Sequence, residues 1–242
     1  MSFIALFVLG LLCWLFSTVS AGGAATIVLP ILGFAAGVDI AVPVVAFAAL
    51  MANPSRAWMF RRYIDWQVAR WLIPGSLLGA ILGAYSFSLL SPEWLQALLG
   101  VFLISTVFQF RAGKSQRRFN VRPSTFLPIG ALVSFSSGVV GGSGPVLNPF
   151  FLNYGTEKEA LVATKAVNSL VMQLAKLTVY ASMGVITQQV SSFGLALGLG
   201  AIVGTFLGKK HLLNIDAQRF KVYTLVIMQI AGFSLLVKAF MY

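Results

Sequence analysis

Apolar residues in this chain come in long runs separated by short polar breaks. In the first half the runs cover about 3–20, 40–60, 68–90 and 93–110, and in the second about 123–154, 160–184, 193–208 and 222–241. A helix needs roughly 20 apolar residues to cross a bilayer, and the runs lack the strict alternation of a lipid-facing barrel strand. The pattern predicts an all-α integral membrane protein. Two of the runs are interrupted. Ala21-Gly22-Gly23 follows the first, and a short apolar piece continues through Pro30 to about residue 36. Gly141-Gly142-Ser143-Gly144-Pro145-Val146-Leu147-Asn148-Pro149 lies inside 123–154, with three glycines, a serine and two prolines in nine residues.

Glycine and proline both break helices. At membrane depth an irregular backbone is tolerated only where protein or a water-filled cavity satisfies its N–H and C=O groups. The two breaks match: Gly22-Gly23 with Pro30, and Gly141-Gly142 with Pro149, share one offset of 119 residues. Glycine- or proline-interrupted segments at corresponding positions of two halves point to a transporter's substrate site. The organisation expected is two inverted four-segment repeats, each starting with a Gly-broken helix or a re-entrant helical hairpin. Residues 1–122 form the first repeat, including a basic linker at about 111–122, and residues 123–242 form the second.

Charge orients the halves. The chain is 58% hydrophobic and 10% charged, with 17 Lys+Arg against 6 Asp+Glu, a net charge of +11 and mean hydropathy +0.89. The basic residues sit in short loops, as the positive-inside rule requires. Without a basic helix interleaved with aromatics, nucleic-acid binding is not expected. Cys13 is the only cysteine, so no intramolecular disulfide or cysteine cluster forms, and neither a cofactor nor a metal site is expected. Met1-Ser2-Phe3-Ile4 has no basic lead-in, so residues 3–20 read as a retained segment. The loop with Arg56, Arg61 and Arg62 is basic while its counterpart near 184–191 is uncharged; Ser91-Pro92-Glu93 is acidic while 209–221 is basic. With 56–66, 111–122 and 209–221 all cytoplasmic, 123–154 enters and leaves by one face and 3–36 by the other, leaving both termini outside and the glycine tips meeting near the midplane. Eight straight, kinked helices are the alternative, and would put Lys209 and Lys210 outside.

A helix restarting after each tip would aim unpaired N–H groups and its positive end at the membrane centre, which is an anion site. Gly22, Gly23, Gly141 and Gly142 let an oxyanion approach the backbone, Ser143 adds a hydroxyl, and Pro145 suits a first helical position. Close helix packing is the plainer role for such glycines. In 160–184, Lys165, Ser169, Met172 or Gln173, Lys176 and Tyr180 recur at steps of three or four with Asn168 beside them, one helix face. A lysine in hydrocarbon costs at least ~2.5 kcal/mol at the helix centre, and no acid in the apolar runs offsets it; an anionic substrate would. Lys176 can instead snorkel, Lys165 can pair with Glu157 or Glu159, and Tyr180 can belong to an interface belt. Asn53 is the nearest first-half counterpart of Asn168. Arg56 either faces this site or is a charge at the cytoplasmic edge, and His211 sits in a charged loop. The six acids and the single histidine lie in loops or at helix ends, so no catalytic residue is assigned.

The paired Gly-Gly…Pro motifs, Arg61-Arg62-Tyr63-Ile64-Asp65-Trp66, and Gly141-Gly142-Ser143-Gly144-Pro145 leading to Thr164-Lys165-Ala166…Lys176…Tyr180 together resemble the TauE/SafE family of sulfite and organosulfonate exporters and permeases. The resemblance covers nearly the whole chain and implies a multi-pass permease of the bacterial inner membrane that moves small sulfur oxyanions such as sulfite or sulfoacetate. The expected partners are that small anionic substrate and the lipid bilayer, with a proton or sodium as possible coupling ion and a homo-oligomer possible. A non-transporting membrane assembly or sensor subunit, and a cation or metal permease, are the competing readings; lysines in the membrane interior argue against the last.

Overall fold

A computed structural model describes residues 1–20, 24–112, 121–142, 146–210, 229–230, 232–237 and 239. Among them there is no strand. The first half gives α1 (Phe3–Ser20), α2 (Ala25–Ala36), α3 (Val38–Met59), α4 (Trp66–Leu89) and α5 (Pro92–Ala112); the second gives α6 (Phe126–Val140), α7 (Asn148–Tyr154), α8 (Lys158–Ser182) and α9 (Gln188–Lys210). Local chemistry sets these boundaries. Gly37, at φ +93°, separates α2 from α3. The Asp65 carboxylate accepts from the Gln67 and Val68 amides at 3.0 and 3.1 Å and so caps α4, satisfying donors the first turn leaves unpaired. Pro92 opens α5, where its fixed φ suits a first helical position. Gly155, at φ +94°, stops α7.

Among the described residues, four stretches are long and apolar enough to cross a membrane: Val38–Met59, Trp66–Leu89, Pro123–Val140 and Gln188–Gly208. The protein is a multi-pass membrane protein. The 25-residue α8 has the length to cross as well, but carries Lys165, Asn168, Gln173 and Lys176.

Two rows of glycines lock the helices. A Cβ at Gly75, Gly79 or Gly83 of α4 would overlap the carbonyl oxygens of Leu127, Ala131 or Phe135 of α6. A Cβ at Gly200, Gly204 or Gly208 of α9 would press on those of Phe7, Leu11 or Leu15 of α1. Small residues every fourth position let helix backbones approach closely in a membrane. Because the positions rise together, α4 runs parallel to α6 and α9 parallel to α1. Gly194 and Gly198 against Phe47 and Met51 make α9 parallel to α3 as well.

These directions fix the ends of the bundle. The turn after α3 with Arg61 and Arg62, the stretch leading into α6 and the end of α9 lie at one end, which is where the sequence groups its basic loops; of the loops at 111–122 and 209–221, residues 113–120 and 211–221 lie outside the described residues. α6 starts from this basic end and α1 from the other. The Phe126 ring, at the start of α6, lies 5.0 Å from that of Phe151 and 5.8 Å from that of Tyr154, at the end of α7. The broken run therefore closes back on itself, and α7, at seven residues or about 10 Å, is far too short to cross. Straight helices throughout do not fit this return.

Candidate functional site

The returning chain puts Gly141 and Gly142 against the first half. Gly141 ends α6 at φ +81°, its amide donating to the Ser137 carbonyl at 2.9 Å. Only a residue without a side chain adopts that backbone readily, and a Cβ there would also press on Leu29 and Val42. A Cβ on Gly142 would touch Leu29 and Ala25, so the second tip abuts the first turns of α2. Gly22, Gly23, Ser143 and Pro145 lie outside the described residues. The helix after the second tip starts at Asn148, three residues beyond the position expected for Pro145.

Between Ala24-Ala25, the Gly141-Gly142 tip, α3 and α8 lies a cavity of about 120 Å³, far above the roughly 10–15 Å³ one water needs. Arg56 and Lys165 both line it, and no Asp or Glu is among its described lining residues. Arg56 Nη2 donates to Thr18 Oγ1 at 3.0 Å, in the last turn of α1. Lys165 Nζ donates to Asn148 Oδ1 at 2.6 Å, at the start of α7. Asn53 Nδ2 donates to Ser169 Oγ at 2.7 Å, joining α3 to α8 across the halves. Asn168 and Gln173 also line the cavity, and Asn168 Oδ1 and Gln173 Oε1 are buried without a hydrogen-bond partner. Such oxygens normally have one.

The family model for the sulfite exporter TauE/SafE matches residues 6–235. The chain belongs to that family. Membership implies a membrane permease or exporter of sulfur compounds. No curated protein and no solved structure is significantly similar to it.

In this TauE/SafE protein the face of α8 read from the sequence divides in two. Lys165, Asn168, Ser169, Met172 and Gln173 line the cavity. Lys176 and Tyr180 do not: Lys176 Nζ donates to the Ser137 carbonyl at 3.0 Å and Tyr180 Oη to the Gly138 carbonyl at 2.6 Å. Both side chains are fully buried, which rules out snorkelling for Lys176 and an interface belt for Tyr180. Tyr180 gives the Gly138 carbonyl, in the last turn of α6, a donor; Lys176 adds a second donor to the Ser137 carbonyl, which the Gly141 amide already reaches, and a cation at a helix C-terminus is favourable. In this conformation neither of the two borders the cavity, because both are turned onto the last turn of α6. Removing the hydroxyl in Tyr180→Phe leaves a buried carbonyl without its donor. The expected loss is about 1–3 kcal/mol, read as a fall of several degrees in the apparent Tm of the purified protein.

Trp14, Ser17 and Gln173 also border the cavity, and none stands out in the sequence beyond the helical spacing that includes Gln173. Arg56 looks like an edge charge only because Arg61 and Arg62 follow it so closely. Those two sit on a separate short turn, Arg61–Tyr63, where Arg61 stacks over Trp58 at 3.9 Å, while Arg56 is one turn back inside α3.

Proposed function

We propose that this protein is a secondary transporter of a small sulfur oxyanion or organosulfonate, such as sulfite or sulfoacetate, working in the bacterial inner membrane by alternating access between residues 1–122 and 123–242. The observation that carries this reading is a cavity between the two halves, lined by Arg56 and Lys165 and, among the described residues, by no Asp or Glu. Two cations in one low-dielectric space repel each other, and an anion between them offsets both the repulsion and the desolvation. A metal or other cation in that space would be repelled.

The backbone adds donors. Ala24 and Ala25 border the cavity at the first turn of α2, where N–H groups have no intrahelical acceptor and the helix dipole favours negative charge. Gly142 lets an oxygen approach the other tip with no side chain in the way, and Ser143 adds a hydroxyl donor to the same anion. Asn53 and Asn168 complete the cradle.

The packing supports an inverted repeat. α1 pairs with α9 and α6 with α4, so the first helix of each half docks on a helix of the other half. The carbonyl rows Phe7, Leu11, Leu15 and Leu127, Ala131, Phe135 are 120 residues apart, and the glycine rows Gly75, Gly79, Gly83 and Gly200, Gly204, Gly208 are 125 apart. Starting from opposite ends, two such halves rock about a fixed site, with a proton or sodium as the coupling ion.

A thermal-shift panel on detergent-purified protein tests the ligand class. Sulfite and sulfoacetate should raise the apparent Tm with the logarithm of their concentration above the Kd, since a ligand binding only the folded state stabilises by about 2.7 kcal/mol at a hundred times its Kd; matched chloride should not. No rise with any sulfur oxyanion would overturn the assignment.

A further inference from the structure

We propose that Lys176 is the substrate-facing cation of the state open to the opposite end of the bundle, occupying there the position that Arg56 occupies in this one. The inference rests on the alternating-access reading above. It begins with register: the carbonyl rows of α1 and α6 correspond at 120 residues, and the same offset carries Gly10 to Gly130, each of which meets the other half's glycine-bearing helix at Leu197 or Leu72. Applied to the site, it carries Ser17 to Ser137, Thr18 to Gly138 and Arg56 to Lys176.

The contacts follow the same correspondence. Arg56, on α3, reaches Thr18 in the last turn of α1. Lys176, on α8, reaches Ser137 near the end of α6. Each half thus ties a cation on its long helix to the end of its own broken helix. The two differ in surroundings. Arg56 lines the cavity, whereas Lys176 is 0% exposed. Arg56 lies near the end of α3 and Lys165 near the start of α8, both toward the basic end. Lys176 and Tyr180 lie farther along α8, away from the basic end, against the last turn of α6, where the Tyr180 ring packs on Phe87 at 5.1 Å.

A purely structural cap does not require a charge. Tyr180 satisfies the neighbouring Gly138 carbonyl with a neutral hydroxyl, and the Ser137 carbonyl already accepts from the Gly141 amide. A fully buried ammonium on a backbone carbonyl is costly to keep, and its position has a use if the site opens there. In an inverted repeat the opposite-facing state is reached when each half adopts the conformation the other now has. The last turn of α6 then moves off Lys176 and exposes it to the anion, while that of α1 closes over Arg56.

Cysteine accessibility in sealed vesicles of both orientations tests this. In a Cys13→Ala background, Arg56→Cys should react with a membrane-impermeant thiol reagent from the side of the basic loops. Lys176→Cys should react only from the other side, about ten- to a thousandfold more slowly, as a minor state of ~0.1–10% population dictates. The native lysine provides a check free of substitution. An impermeant amine-acylating ester applied from that other side should modify Lys176 in wild-type protein, read by mass spectrometry. Protection of Lys176 from both sides, with Arg56→Cys reactive, would make Lys176 a fixed cap and overturn the proposal. If sulfoacetate still raises Tm in that case, the anion site itself stands; if it does not, both readings fall.

Discussion

Arg56→Met and Lys165→Met should each weaken binding of sulfite or sulfoacetate by about a hundredfold. Both cations line one cavity, with no Asp or Glu among its described lining residues, and a bound anion would lower their mutual repulsion there. Truncating one partner of a desolvated charge pair costs about 2–5 kcal/mol, and each 1.4 kcal/mol is tenfold in Kd. The double substitution should fall short of the product of the single effects, because both residues act on one ligand and are coupled through it. Lys165→Met also removes the donor to Asn148 Oδ1, so Lys165→Arg is the informative companion: it keeps the charge and should recover most of the affinity. Titrations by thermal shift or calorimetry give the constants. A change of less than about threefold in both single variants, with folding intact, would remove these residues from the site.

The second large effect falls on folding. Gly79→Val and Gly204→Val should each prevent accumulation of folded protein. At Gly79 a Cβ would overlap the Ala131 carbonyl, and at Gly204 the Leu11 carbonyl. The obstacle is helix backbone, which cannot swing aside as a long side chain can. The helices must separate, and the whole row loses contact. Overpacking costs 1–3 kcal/mol where neighbours adjust and more where they cannot, so about 3 kcal/mol or more is expected at each position. Leu82→Val, at an exposed position on the same α4, is the control and should be nearly silent. Size-exclusion profiles of a fluorescently tagged protein distinguish the cases. A monodisperse peak at wild-type level for either glycine variant would contradict the close packing of α4 on α6 or of α9 on α1.

Much of this was legible in the sequence, and the limits have physical causes. Apolar run length marks membrane helices, and glycine with proline inside such a run marks a break, because both signals are local. The helical period placed Lys165, Asn168 and Gln173 on one face, and that face does line the cavity. The period could not show where the cavity stops: that depends on how far α6 reaches alongside α8, a tertiary distance. Lys176 and Tyr180 therefore looked equivalent to Lys165, although they hold the end of α6. Arg56 was obscured by nearby charges. The offset of 119 residues found at the tips differs by one from the 120 that relates the helices, and at 119 Arg56 does not fall on Lys176. The glycine rows are visible as every-fourth spacing, but which helix each row receives is decided by the folded arrangement alone.

The central claim is that this protein moves a small sulfur oxyanion through the cavity between its halves. Uptake of radiolabelled sulfite into proteoliposomes tests it most directly. Saturable accumulation above protein-free vesicles, competed by sulfoacetate and lost in the Arg56→Met, Lys165→Met double variant, is the predicted result. Folded protein that carries neither sulfite nor sulfoacetate faster than empty vesicles, under a proton gradient, a sodium gradient or in exchange, would contradict it.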